Sequence, residues 1–205
     1  MTWLRDPAEI YRNSFATVVA EADLSHFAAN AQAIAIRMIH ACGMIDLARD
    51  IRITDGFADA AAGAVRGGRA IITDCEMVRH GIIRRLIPDA AQIVCTLNDP
   101  AAREIGIARK TTRSAAAVTL WRAHLDGAVV IIGNAPTALF ALMELIDAGA
   151  PKPAAVIACP VGFVGAAESK DAFMGNPRGM AYATVLGRRG GSAIAAATFN
   201  AVFAP

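Results

Sequence analysis

His40 is the residue of this sequence best suited to acid–base chemistry, and it lies near the end of an apolar stretch that Gly43 interrupts. A glycine just after a periodic apolar run is typical of a helix C-terminus. The last helical turn has unpaired carbonyl groups and partial negative charge, which favour a protonated imidazole. Arg37, one turn earlier, has the opposite effect because a like charge disfavours protonation. The position of His40 therefore predicts a proton donor that works near neutral pH.

The structural alternative for His40 is a packed side chain with one hydrogen bond, which is the commoner fate of a lone histidine in an apolar helix. Ile34, Met38 and Cys42 form one stripe of the predicted helix, whereas His40 lies on the opposite side together with Arg37. Because His40 lies off the stripe that we expect to face the core, both interpretations stay open at this point.

Ser14 and Tyr11 are the next candidates, and both lie in a helix whose start is well marked. Asp6 is placed to cap that helix, Pro7 suits its first turn, and the helix is expected to run to about residue 22. Its apolar face would contain Ile10, Tyr11, Phe15, Val18 and Val19. Ser14 falls within that face. It either bonds back to a carbonyl one turn earlier, which is the commoner case, or offers its hydroxyl to a ligand beside Tyr11.

Two glycine-containing turns resemble anion-binding sites. At residues 133–136 a strand ends, Gly133 permits a tight turn, Asn134 is expected to cap and Pro136 opens the next helix. Free amides at the positive end of a helix would suit a carboxylate or a phosphate, which makes Asn134 a candidate ligand-binding residue. Residues 188–192 repeat this pattern before the last helix. The alternative for each is an ordinary strand-to-helix turn.

The elements that must position these residues form two regions. Residues 1–50 are expected to be a helical segment that carries His40, and residues 51–205 an α/β sandwich, the whole forming a single domain. Strands are predicted at residues 51–53, 70–73, 93–96, 129–132, 155–158 and 182–186. Helices are predicted near residues 58–65, 76–80, 100–108, 113–125, 136–148, 166–174 and 192–202. Continuous apolar strands separated by helices predict a Rossmann-like, doubly wound, mostly parallel sheet with helices on both faces.

Composition narrows the functional classes. The 205 residues are 55% hydrophobic with a formal net charge of +2, so neither nucleic acid nor an anionic membrane is expected as the main partner. No apolar run is long enough to span a bilayer, and the first residues lack the features of a signal peptide. Cys42, Cys75, Cys95 and Cys159 are widely spaced. No metal or disulfide framework is therefore expected, and free thiols suit a reducing cytoplasm.

Named nucleotide, metal and hydrolase motifs are absent from the sequence. It contains no GxGxxG after a first strand, no GxxxxGK[ST], no HExxH and no GxSxG. The chain therefore gives no positive sign of a nucleotide, a metal or a serine nucleophile. The remaining signals are a Rossmann-like fold, a candidate acid in His40, many arginines and two glycine-rich turns.

Several longer motifs nevertheless resemble one known family, the precorrin-8X methylmutases, also called precorrin isomerases. The resemblance covers nearly the whole chain and keeps the order of the motifs. The motifs are RMIHACGMID around His40, TRSAAAV at residues 112–118, IGNAPTALF at 132–140, PVGFVGAAESK at 160–170 and GRRGGSA at 187–193.

This resemblance implies a step of cobalamin biosynthesis, in which a methyl group moves from carbon 11 to carbon 12 of a corrin precursor to form hydrogenobyrinic acid. It implies that no cofactor or metal is consumed. It also implies a cytoplasmic homodimer with active sites near the subunit interface. A product held firmly after the reaction could be passed to the next enzyme of the pathway.

The resemblance also implies roles for individual residues. His40 corresponds to the family's acid, Ser14 to a substrate-contacting serine with Tyr11 one turn before it, and Arg113 to an arginine that pairs with a substrate carboxylate. One departure is the pair Ile82 and Ile83, which stands where many members have a threonine. The absence of that threonine puts local polar contacts with the substrate in doubt, but not the reaction itself.

Three alternatives remain beside this function. The substrate could contain cobalt, as in the anaerobic route. The chain could be a tetrapyrrole carrier without catalytic activity, or a nucleotide-using α/β enzyme, although the missing glycine fingerprint argues against the last.

Overall fold

The computed structural model describes residues 3–204, in which helices and strands alternate after an initial pair of helices. The helices are α1 (Pro7–Glu21), α2 (Ala29–Cys42), α3 (Phe57–Arg66), α4 (Glu76–Gly81), α5 (Pro100–Ala108), α6 (Arg113–Thr119), α7 (Pro136–Asp147), α8 (Ala166–Gly175) and α9 (Ser192–Phe203). The strands are β1 (Ile51–Ile53), β2 (Ile71–Thr73), β3 (Ile93–Val94), β4 (Val129–Ile132), β5 (Ala155–Ala158) and β6 (Ala181–Val185). Short 3-10 helices cover Ile45–Arg49, Arg84–Leu86 and Leu120–His124.

These strands form one sheet in the order β1-β6-β5-β4-β2-β3. Neighbouring strands are parallel, with Val130 of β4 opposite Val156 of β5, except at the edge, where β1 runs antiparallel to β6 and Ile51 lies opposite Val185. Because β1 is reversed, its first residue lies at the carboxyl edge of the other strands. The segment that follows α2 therefore reaches this edge, where ligands collect in open α/β sheets.

Alternate residues of the central strands face opposite sides of the sheet, and both sides are buried. Val129 and Ile131 face a core formed with residues of α2, α3, α4 and α9, whereas Val130 and Ile132 face a core formed with residues of α6, α7 and α8. Residues 129–132 and 155–158 are fully covered by these helices. The predicted doubly wound sheet with helices on both faces is confirmed.

The helical segment before the sheet is less buried than its sequence suggested. Helix α2 packs against α9 through Ile34, Ala35, Met38 and Ile39, while α1 contacts α2 and buries Val18 alone. The predicted apolar face of α1 is largely exposed, since Tyr11 is 45% exposed and Val19 is 55% exposed. The physical reason is that α1 lies on the outside of α2 and has no second layer to cover it.

Most predicted boundaries lie within one residue of the structure, and two differ by more. Strand β3 ends at Val94 instead of residue 96, because its pairing with β2 stops at Val94. Beyond the strand, the Thr96 hydroxyl donates to the Ala117 carbonyl at 2.9 Å and accepts the Trp121 indole N–H at 3.0 Å. The helix predicted over residues 113–125 changes at Thr119 into a 3-10 helix. Among residues 3–204, no helix has both the length and the apolar character needed to cross a membrane.

Candidate functional site

His40 lies in the last turn of α2, and Gly43 ends that helix in the left-handed conformation with φ of 69°. The Gly43 amide closes the helix by donating to the Ile39 carbonyl at 2.9 Å. The His40 side chain is exposed, whereas Met38 and Ile39 are completely buried. The prediction that His40 lies off the core stripe is confirmed.

The nearest polar partner of His40 is Ser14, whose Oγ lies 2.9 Å from Nδ1 of the imidazole. Of the two alternatives for Ser14, the bond back to its own helix is not formed in the described part of the chain. The Thr17 hydroxyl makes that kind of bond, donating to the Asn13 carbonyl at 2.9 Å. Within residues 3–204, no hydrogen bond engages Nε2 of His40. A hydroxyl on Nδ1 holds the ring in one orientation and leaves Nε2 to meet a ligand.

Aromatic rings surround the same imidazole. The Phe15 ring lies 4.9 Å from the His40 ring with a tilt of 31°, and the Tyr11 ring lies 5.9 Å away nearly edge-on. Arg37 donates from its guanidinium to the Tyr11 hydroxyl at 2.6 Å and lies over the Phe15 ring at 5.3 Å. Tyr11, Ser14, Phe15 and His40 thus form one cluster, which we call the His40 cluster, with the Arg37 cation beside it.

The His40 cluster borders an open cleft. A cavity of about 310 Å³ between α1 and the end of α2 is lined by Ser14, Thr17, Val18, Glu21, Ile39, His40, Gly43 and Ile45. A second cavity of about 480 Å³ shares Glu21, Gly43 and Ile45 with it and extends along residues 44–49. Together they have the volume of a small-molecule site, with His40 at one end.

Arg113 lies at a different place on the molecule. It is the first residue of α6, after the N-cap Thr112, whose hydroxyl accepts the Ala115 amide at 3.1 Å and donates to Thr137 at 2.9 Å. The exposed Arg113 lines a cavity of about 490 Å³ together with Asp99 and Arg103. Among the described residues, this cavity shares no lining residue with the cleft beside His40.

The turn after β4 corrects the prediction of free amides at Asn134. The buried Asp74 carboxylate accepts the amides of Gly133 at 3.0 Å, Asn134 at 2.9 Å and Ala135 at 2.9 Å. The cap position of α7 is Ala135 and not Asn134. Burial raises the pKa of the Asp74 carboxyl, and the three amide donors oppose that rise. The protein's own carboxylate occupies this turn, so only the exposed Asn134 side chain is left for a ligand.

The second glycine-rich turn is also held by the chain itself. The Gly191 amide donates to the Cys159 carbonyl at 2.8 Å, and Arg189 forms ion pairs with Asp46 at 2.7 Å and Asp50 at 3.5 Å.

Ile82, at the departure from the family pattern, is buried, and the Ile83 amide donates to the Asn200 side chain at 3.0 Å. No group of three or more His, Cys, Asp or Glu in residues 3–204 could hold a metal ion.

Sequence reasoning did not identify two buried charged residues of the carboxyl edge, Asp74 and Lys170. The available signal for Asp74 was its position directly after β2, where a carboxylate can reach the neighbouring strand's turn. The burial of Lys170 could not be predicted from the sequence, because a lysine in a helix is usually exposed.

Comparison with known proteins identifies the family. The family model described as precorrin-8X methylmutase matches residues 9–204. The precorrin-8X methylmutase of Pseudomonas aeruginosa is 50% identical over 200 residues, covering 98% of this chain and 96% of its own. The precorrin-8X methylmutase of Sinorhizobium sp is 48% identical over 203 residues, covering 99% of this chain and 97% of its own. The cobalt-precorrin-8 methylmutase of Methanothermobacter thermautotrophicus is 38% identical over 182 residues, covering 89% and 84%.

The fold agrees with these matches. A solved structure of a precorrin-8X methylmutase from Thermus thermophilus superimposes with a TM-score of 0.85 at 35% identity, covering 96% of this chain and 94% of the other. The α/β sheet and these relatives define the class of the protein as an isomerase of the methylmutase type. The chain belongs to the precorrin-8X methylmutase family, and the resemblance seen in its motifs is confirmed.

Proposed function

We propose that this chain converts precorrin-8X to hydrogenobyrinic acid by moving a methyl group from carbon 11 to carbon 12, without a cofactor or a metal. Support comes from the two relatives named precorrin-8X methylmutase, which are 50% and 48% identical, against 38% for a relative named cobalt-precorrin-8 methylmutase. The observation that carries the mechanism is an exposed histidine held by a serine at the edge of an open cleft.

His40 acts as the general acid in this proposal. It lies in the last turn of α2, and the Ser14 hydroxyl on Nδ1 leaves Nε2 to donate a proton to a nitrogen of the macrocycle. Substrate and product are isomers, so the reaction consumes no proton overall. The proton given before the methyl shift must be released afterwards, and the neutral imidazole can accept it again.

Tyr11 and Ser14 are proposed to contact the macrocycle beside His40, since Ser14 lines the cleft and the half-exposed Tyr11 ring lies 5.9 Å from the His40 ring. Arg113 and the Asn134 side chain are proposed to bind the acetate and propionate arms. An arginine in the first turn of a helix presents a fork of N–H donors that matches a carboxylate.

A homodimer would bring these separate groups together. Exposed apolar side chains occur at Trp3 and Leu4 before α1 and at Ile10, Tyr11 and Val19 on α1, and Tyr11 belongs to the His40 cluster. Apolar side chains gathered beside a cleft suit a subunit interface. We propose that a second copy covers this side and supplies Arg113 to the cleft, that residues 1–205 act as one domain, and that the enzyme works in the cytoplasm, where its cysteines stay reduced.

Turnover without additives tests the reaction. Purified protein in a buffer with a chelator and no cofactor should convert precorrin-8X to the orange-pink product, with many product molecules per protein chain. Product limited to one molecule per chain would support the carrier alternative. Faster turnover of cobalt-precorrin-8 than of precorrin-8X would assign the chain to the anaerobic route.

Mixed dimers test the shared site. We expect His40→Ala and Arg113→Ala chains to be inactive or weak alone. Co-expressed, they should recover about a quarter of wild-type activity, because half of randomly paired dimers contain one intact site of two. No recovery in mixed dimers would place Arg113 and His40 of each site on the same chain, whereas wild-type activity of Arg113→Ala alone would remove Arg113 from the site.

A further inference from the structure

Lys170 of α8 is a fully buried amine that the proposed reaction does not use. Its Nζ donates to the Pro160 carbonyl at 3.1 Å and to the Arg189 carbonyl at 2.6 Å. No carboxylate lies within ion-pair distance of it in the described part of the chain. Burial lowers the pKa of Lys170 to about 8, while the nearby Cys159, Asp171 and Asp50 oppose that change. A buried amine without an ionic partner costs stability, so its place in the fold calls for another explanation.

The two carbonyls belong to different loops. One follows β5 and covers residues 159–165; the other follows β6 and covers residues 186–191, and we call it the arginine loop. The Gly162 amide donates to the Arg188 carbonyl at 3.2 Å, and the Gly191 amide to the Cys159 carbonyl at 2.8 Å. A Cβ on Gly190 would collide with the Cys159 carbonyl, so the loops lie in direct backbone contact. Lys170 therefore ties together two loops at the carboxyl edge of adjacent strands.

The arginine loop carries two cations with different surroundings. Arg189 pairs with Asp46 at 2.7 Å, which joins the loop to the segment just after the His40 helix. Arg188 is exposed and lies over the Phe163 ring of the other loop at 5.5 Å. Within residues 3–204, Arg188 forms no ion pair with a carboxylate. The charge of Arg189 is balanced by the protein, whereas that of Arg188 is available to an acidic ligand.

We propose that Lys170 is a positioning residue that holds the arginine loop against residues 159–165, so that Arg188 binds a carboxylate arm of the substrate. This inference rests on the proposed function for the identity of the ligand. The physical argument is that a buried amine with two fixed acceptors sets the path of both loops, and that a stacked guanidinium is held ready for a carboxylate.

The first test compares Lys170→Met with Lys152→Met. Lys152 also donates to a backbone carbonyl, that of Arg178 at 2.8 Å, but it is exposed and far from the arginine loop in sequence, which makes it a matched control. In Lys170→Met we expect the amides of Gly162 and Gly191 to exchange roughly tenfold faster or more, and KM for precorrin-8X to rise about tenfold while kcat changes far less. Lys152→Met should leave the exchange of both amides, KM and kcat unchanged. Unchanged exchange in a folded Lys170→Met protein overturns the proposal.

The second test uses Arg188→Ala, a surface change that leaves the buried contacts in place. We expect it to raise KM and to weaken hydrogenobyrinic acid binding by a similar factor, with normal exchange at Gly191. Unchanged KM and product affinity in this variant overturn the proposal even if Lys170→Met does not fold. If wild-type protein does not turn over precorrin-8X, the proposed function fails, but amide exchange in Lys170→Met still shows whether Lys170 holds the loops.

Discussion

The His40 cluster and the Asp74 turn both bring an ionisable side chain to polar partners, but they differ in exposure and in what their partners leave available. His40 is exposed, has one hydroxyl partner on Nδ1, and borders a cleft. Asp74 is 2% exposed and accepts three backbone amides. The first group keeps a ring nitrogen available for a substrate, while the second has both carboxylate oxygens engaged by the fold. A polar residue at the edge of a sheet is therefore available for chemistry only where the fold leaves part of its hydrogen-bonding capacity unsatisfied.

The largest expected effect is that of His40→Ala on catalysis. If His40 is the proton donor, kcat should fall about a hundredfold to ten-thousandfold, since that is the usual contribution of a general acid. The melting temperature should change little because the side chain is exposed. His80→Ala is a matched control: His80 is also an exposed histidine in the last turn of a helix, bonded to the Glu76 carbonyl at 2.8 Å. Wild-type kcat in His40→Ala would show that His40 is not the proton donor.

Asp74→Ala should have the largest effect on stability. It leaves one buried and two half-buried amides without an acceptor, at about 1 kcal/mol or more each, so we expect the free energy of unfolding to fall by about 3 kcal/mol. Chemical denaturation measures this loss. Asp126→Ala removes an exposed carboxylate that pairs with Arg69 at 2.7 Å, and should cost about 1 kcal/mol or less. Equal losses in the two variants would contradict a structural role for Asp74.

Lys170 predicts a pH dependence of stability. Its pKa is about 8 in the folded protein and 10.5 when unperturbed. Between these values the unfolded state binds the proton and the folded state does not, so the free energy of unfolding rises with pH. Relative to Lys170→Met, wild-type protein should gain up to about 3 kcal/mol between pH 8 and pH 10.5. If the free energies of unfolding of wild type and Lys170→Met differ by the same amount across this range, the pKa of Lys170 is not lowered by folding.

Ser14→Ala has the smallest expected effect of the four. Removing the hydroxyl from Nδ1 frees the His40 ring to rotate, and the loss of one hydrogen bond should lower kcat about tenfold with little change in stability. Ser25→Ala, which removes an exposed hydroxyl bonded to Asp23 at 2.6 Å, should leave kcat unchanged. A Ser14→Ala enzyme with normal kcat would show that the aromatic rings alone orient His40.

Local signals in the sequence determined much of the fold. Asp6 and Asp99 cap helices that begin with proline, and each side chain accepts the amide two residues on at 2.9 Å. Gly43 ends α2, and residues 51–53, 129–132 and 155–158 are strands as predicted. These features depend on neighbouring residues, whose capping and periodicity can be read directly from the chain. The exposed place of His40 followed from the same periodicity.

Only the tertiary structure decided which polar groups meet. Ser14 lies 26 residues from His40, and Asp74 lies 59 residues from the first amide that it accepts. Lys170 reaches the Arg189 carbonyl across a strand and a loop. Such contacts depend on the order of strands in the sheet and on how helices cross, which no local pattern encodes. For that reason His40 and Ser14 could each be predicted as candidates from the sequence, but only the packing of α1 on α2 shows that the two side chains are in contact.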